Sequence, residues 1–305
     1  DFNSNNTNVE AIIVFDKNEG HKSTIYNLNI LEKLVPILFQ CDVFHPYYIY
    51  ENVDSLFNKN SFLPYKIITS DFVIAISYDQ SKAVLYRDSS MINLLNETFQ
   101  KQLNIATPIC HTFHPTPAEY LASTFAPNED LDADTIYELF YQPCFPSFCP
   151  DDILLDRLNT DIIPPEMQNV IVDYFAKIRA QYQNKHISFT LEGLNYFMET
   201  GRVTEIPDFM YSYLTPPQRL NMLKAIVASV DDGSFTPHII RSERLTVPSP
   251  ICICAPNEHK VIIYYFSPDK GQYIFSLQEL SLVQAFYDFL TYLHESPLVY
   301  SLDES

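Results

Sequence analysis

Residues 73–103, VIAISYDQSKAVLYRDSSMINLLNETFQKQL, and residues 263–293, IYYFSPDKGQYIFSLQELSLVQAFYDFLTYL, read as one unit written twice. Each has two short alternating strands about a polar turn, followed by a helix with one apolar face. Set side by side without a gap, Ser77, Asp79, Phe99 and Leu103 fall on Ser267, Asp269, Phe289 and Leu293. Ile74, Ile76, Val84, Leu85 and Ile92 fall on Tyr264, Phe266, Ile274, Phe275 and Leu282. Shared turn position, strand period and helix phase predict a mixed α/β (α+β) fold: a two-lobed body with an internally duplicated hairpin-plus-helix unit, its copies related by a pseudo-two-fold.

Working outward from the repeats, residues 1–8 form a polar tail expected to be disordered, and residues 9–112 form a first α/β lobe. That lobe opens on the strand VEAIIVF (9–15), followed by a helix from Ser23 to about Phe39 that Pro36 bends or ends. VFHPYYIY (43–50) reads as a strand, and Pro46 places it at a sheet edge because proline cannot donate to a ladder. Asp88 or Ser89 is placed to cap the first repeat helix.

Residues 113–235 are expected to be a mainly helical middle region. Its proline-punctuated start holds Thr116–Pro117 as the opening of one helix, and IYELFY (136–141) as another. A long helix spans Pro164 to Gln183; LEGLNYFMET then stops at Gly201, a left-handed cap, and Thr215 with Pro216 opens the next helix. Residues 236–305 complete the body as a second α/β lobe, with strands over 237–247 and 251–254 and a capping box of Ser276 with Glu279 at the closing helix.

Composition limits the function. The charge balance, 19 Lys plus Arg against 38 Asp plus Glu, gives −19 at neutral pH, so this chain is not expected to hold a phosphate backbone itself. No apolar run reaches the roughly 20 residues that span a bilayer. The six cysteines lie in apolar segments without a dense paired framework, which predicts a reducing cytoplasm. The missing initiator Met predicts that the chain was cut from something longer.

Catalytic motifs fail on inspection. Cys110, His111 and His114 have an H-x-x-H spacing, but Pro115 and Pro117 break the helix that would align the ligands, and no metal is assigned. Cys144 and Cys149 miss the zinc-deaminase spacing, no H-x-E exists, and core filling is the reading for all six thiols. G-x-G and G-x-S-x-G are absent, as is the H-x-K of phospholipase-D-like halves; no catalytic residue or cofactor is expected. Four residues stand out as candidates for a small ligand. Arg87 and Arg202 each close a mainly apolar element, where a guanidinium binds an anion bidentately or pairs with a local carboxylate. Tyr47 and Tyr48 line a pocket or simply pack a half-buried strand.

Several segments carry a resemblance: SDFVIAISYDQSKAVLYRD (70–88), FTLEGLNYFMETGRV (189–203), TPPQRLNMLKAIV (215–227) and SLVQAFYDFLTYLHESPLVYS (281–301). From about Pro64 onward the chain resembles the region following the DNA-binding head of Cro/C1-type helix-turn-helix regulators of gut Firmicutes. The resemblance implies a cytoplasmic effector-sensing and oligomerisation region, a homodimer with a small-molecule effector. DNA would be reached through an N-terminal head absent from this chain. It brings no site residue that maps here, and the departure is plain: no helix-turn-helix precedes Val9. Two other readings stay open, an enzyme with an unfamiliar metal-assisted site and a purely structural interaction module.

Overall fold

A computed structural model describes residues 8–18, 20–41, 43–53, 63–112, 136–180, 185–267 and 271–300. The fold is α+β, in two compact units, Asp1–Cys110 and His111–Ser305. The helix expected after Thr116 and residues 1–7 of the tail lie outside the described residues.

The first unit begins with a β-α-β motif. Strand β1 (Val9–Asp16) pairs in parallel with β2 (Phe44–Glu51), joined by helix α1 (His21–Gln40). Buried Asn27 of α1 fixes the helix to the strand end: its Oδ1 accepts from the Asp16 amide at 2.9 Å and its Nδ2 donates to the Asp16 carbonyl at 3.2 Å. The helix runs through Pro36. Contrary to the edge expectation, β2 is central, with β6 (Thr107–Pro108) on its other side. Pro46 is tolerated because β6 pairs only with Tyr47 and Tyr48, while the Pro46 carbonyl accepts from the Ile109 amide.

The same unit holds an antiparallel meander, β3 (Tyr65–Ile68), β4 (Val73–Ile76) and β5 (Ala83–Tyr86), followed by α2 (Ser89–Leu103). Asp88 caps α2 by accepting from the Met91 amide at 3.0 Å.

The second unit is built on one mixed sheet. β8 (Ile136–Leu139), β9 (Lys185–Thr190) and β10 (His238–Ile240) are parallel, and β11 (Ile251–Asn257), β12 (Lys260–Ser267) and β13 (Gly271–Leu277) continue from β8 as antiparallel neighbours. Short β7 (Cys110–Thr112), at the boundary of the units, ends the strand order. The crossovers are helical: α3 (Asp151–Arg157) and α4 (Pro165–Ala180) lead to β9, and α5 (Leu191–Thr200) and α6 (Pro216–Asp231) lead to β10. The final helix is α7 (Leu280–Leu293).

Strand alternation gives this sheet two faces. On one, Ile187, Phe189 and Cys252 share a core with Ile171 and Phe175 of α4, Phe197 of α5, and Met222 and Ile226 of α6. Phe145, from a buried 3₁₀ turn, stacks on Phe197 at 3.6 Å between ring centres. On the other face α7 lies against β8, β11 and β12, burying Leu282, Val283, Leu290 and Leu293.

Three expectations are corrected. IYELFY is not a helix: Ile136–Leu139 is β8, and with β9 it joins the otherwise helical middle region to the second unit's sheet. A run this short gains its hydrogen bonds from neighbouring strands that lie far off in sequence, which its own apolar pattern does not reveal. Beyond Ile240 no strand continues to 247; the Arg241 amide turns to the Leu298 carbonyl instead. The α7 cap is Glu279, whose carboxylate accepts from the Ser281 and Leu282 amides, while Ser276 belongs to β13.

Both repeat segments do form a hairpin followed by a helix, one in each unit. Their cross-strand registers differ by one residue: Val73 pairs with Tyr86, whereas the corresponding Ile263 pairs with Phe275. The turn is the cause, since Ser77 bonds to Lys82 in the first hairpin and Ser267 pairs with Gly271 in the second. A one-residue slip exchanges the faces of one strand relative to its partner. Element order is therefore repeated, but burial is not: Ala83, Val84 and Leu85 are exposed, while Tyr273, Phe275 and Leu277 are buried.

Candidate functional site

Parallel pairing of β8, β9 and β10 gathers side chains distant in sequence at the N-terminal end of these strands. Tyr137 stands directly opposite His186, and His238 stands opposite Ser188, two residues along from His186 and so on the same face. α7 covers that face and ends there, with His294 at its C-cap. After it the chain is tied to the edge of β10: the Tyr300 amide donates to the Ile239 carbonyl at 2.9 Å, the Arg241 amide donates to the Leu298 carbonyl at 2.8 Å, and the Arg241 guanidinium sits 4.2 Å from the Tyr300 ring centre.

These constraints bring three imidazoles together. One nitrogen from each of His186, His238 and His294 lies within 4.8 Å of the others. The His238 and His294 rings are nearly parallel, 4.0 Å apart, and His186 lies 5.0 Å from His294. Tyr137 stacks on His186 at 4.8 Å and meets Tyr287 edge-on at 5.6 Å, so one wall is aromatic. Burial disfavours the charged form and holds all three below the usual histidine range. His238 falls to about 4, through burial and then the neighbouring His186. His294 falls to about 3, through burial and then His238 and His186. At neutral pH the cluster presents three uncharged imidazoles, each with a nitrogen lone pair. His186 is exposed and the other two are half-buried, so the cluster is reached from solvent.

The opposite face of the same strands carries charge inside the core. Lys185 Nζ donates to Glu138 Oε1 at 3.1 Å, with the side chains 4% and 8% exposed. Burial, followed by the proximity of Glu138, pushes the Glu205 carboxyl well up. Glu205 is only partly buried as a residue, yet its Oε1 is shut off from solvent and, like Glu138 Oε2, lacks a hydrogen-bond partner. Loss of solvent at Oε1 favours the neutral form of the Glu205 carboxyl beside the Glu138–Lys185 pair. Cys144, Cys252 and Cys254 are buried as well, and burial raises the thiols of the first two. For these and Cys149, core filling is what the structure shows.

The residues singled out from the sequence do not converge on this place. Arg202 donates through Nε to Asp208 at 2.9 Å, the carboxylate pairing weighed above. Arg87 is exposed just past β5. Tyr48 is buried in β2 against Phe15, 5.4 Å between ring centres, and Tyr47 is half-buried beside it. Arg87, Tyr47 and Tyr48 belong to the first unit and Arg202 to the second. For Cys110, His111 and His114, the side chains lie outside the described residues. The sequence reading missed His186, His238 and His294 because each is locally ordinary, a histidine at a strand start or a helix end. Their shared face depends on which strands pair.

No known protein-family model matches the chain, and no curated protein is significantly similar to it. No helix among the described residues is long and apolar enough to cross a membrane.

Proposed function

We propose that this chain is the effector-sensing and assembly region of a transcriptional regulator, with its ligand site at His186, His238 and His294. The observation that carries the reading is the imidazole cluster's position, where the end of α7 and the chain beyond it meet the starts of β9 and β10. A ligand held by all three residues binds the end of a helix to two strands. It therefore favours one arrangement of α7 over others, as a sensor requires. The charge of −19 supports the same reading, because a sensing region has no need for the cations that a DNA-reading head must have.

An enzyme is the second reading, and the same cluster speaks for it, since three histidines with an open position are also a hydrolytic zinc set. The reading is tested on a form of the protein carrying a helix-turn-helix head, by operator affinity with and without His238→Ala. Sensing predicts a change of about fivefold or more, the usual scale of coupling between sites. Unchanged affinity, or turnover of an activated ester that His238→Ala abolishes, overturns sensing in favour of a structural or enzymatic role.

A further inference from the structure

We infer that His186, His238 and His294 form a binding site for a late first-row divalent cation of the zinc class, one ion per chain. This deepens the sensing proposal and rests on it for its biological meaning, while the chemistry rests on the three histidines.

The donor set selects the ion. Three imidazole nitrogens suit zinc, nickel, cobalt and copper(II), whereas magnesium and calcium require oxygen ligands and copper(I) favours sulfur. Each histidine offers one ring nitrogen to a common centre, which is the ligand arrangement such an ion takes. Zinc–nitrogen bonds of about 2.0–2.1 Å in a tetrahedron place the nitrogens about 3.3 Å apart. The present spread of 4.8 Å closes by rotation of the rings. His238 and His294 must leave their parallel stacking, because in-plane lone pairs on parallel rings do not converge. Tyr137, stacked on His186, limits that ring's rotation and makes it the fixed ligand towards which the other two turn. A zinc ion with three histidine ligands would complete its tetrahedron with water, and exposed His186 gives access from solvent. The acidic surface raises the local concentration of any cation.

The test uses the untagged, chelator-stripped chain. Isothermal titration with zinc chloride should give saturable one-to-one binding, and cobalt(II) should give the visible absorption of a low-symmetry, nitrogen-ligated site. Single His186→Ala, His238→Ala and His294→Ala variants should each weaken zinc by about tenfold or more, the scale of losing support for a metal. Because a variant can misfold, the wild-type chain gives an independent readout. Zinc should shield these three histidines from diethyl pyrocarbonate while exposed His21 and His259 react at unchanged rates. The inference is overturned by absence of one-to-one binding, by wild-type affinity in His238→Ala, or by shielding at other histidines. Zinc binding that leaves operator affinity unchanged in the head-bearing form upholds the metal site and refutes sensing. Absence of zinc binding with an operator effect of His238→Ala refutes the metal site alone.

Discussion

His238 and His294 stay uncharged in the folded chain because a proton there would sit beside another imidazole with part of its hydration removed. This has a defined consequence for stability. The folded values, about 4 and about 3, lie below the unfolded value of about 6.5. As pH falls through 6.5 the unfolded chain takes up protons that the folded chain refuses, so stability is complete above that pH and declines on the way down to about 4 and 3. Urea denaturation at pH 7.5, 6.0 and 5.0 should show a falling midpoint, and the double variant His238→Gln/His294→Gln should show a shallower fall. Equal slopes would contradict the assignment. At Lys185 the expected effect is larger: Lys185→Met leaves Glu138 buried without its cation and should cost about 3–5 kcal/mol. Adding Glu138→Met should restore much of that loss, since a well-packed apolar pair replaces a buried ion pair at little cost. Denaturation of the two singles and the double measures it.

At the scale of elements, close approach decides which helices tolerate change. A Cβ on Gly193 would lie 1.8 Å from the Tyr141 carbonyl oxygen, so α5 sits against backbone with no room for a methyl group. Gly193→Ala should destabilise by about 1–3 kcal/mol or more as α5 is pushed off the sheet, measured by thermal or urea unfolding. Gly201, with φ +75° and a Cβ position 2.2 Å from the Leu214 carbonyl oxygen, is the left-handed stop that its place after LEGLNYFMET indicated. Periodicity in SLVQAFYDFLTYL likewise revealed an apolar helix, but it did not rank the residues on the stripe. Phe289 reads as core from the sequence, and the structure leaves it half-buried, while Leu290 is 1% exposed. Leu290→Ala should therefore cost about 2–5 kcal/mol and Phe289→Ala less, the reverse of what ring size alone suggests. The pattern within a helix gives its facing side; how deep each position sits depends on the curvature of the sheet it meets.

For the whole chain, charge is the property that acts at long range. With 38 acidic against 19 basic residues, it should not bind duplex DNA measurably at physiological salt. Fluorescence anisotropy against a random duplex tests this, and salt-sensitive binding at micromolar protein would show the reasoning to be wrong. That expectation needs composition alone, whereas the α+β class needs the order of residues but only over short stretches, because strand and helix periods are local properties of neighbouring residues. The hairpin-plus-helix units, a cap at Asp88 or Ser89 and the Gly201 stop were legible for the same reason. The strand nature of Ile136–Leu139, the one-residue difference between the hairpins and the meeting of His186, His238 and His294 were decided by tertiary structure alone. Strand partners are chosen through space, across helical crossovers, by which apolar faces bury together. An imidazole's charge is set by the water and charges around it, whatever residues precede and follow it in the chain.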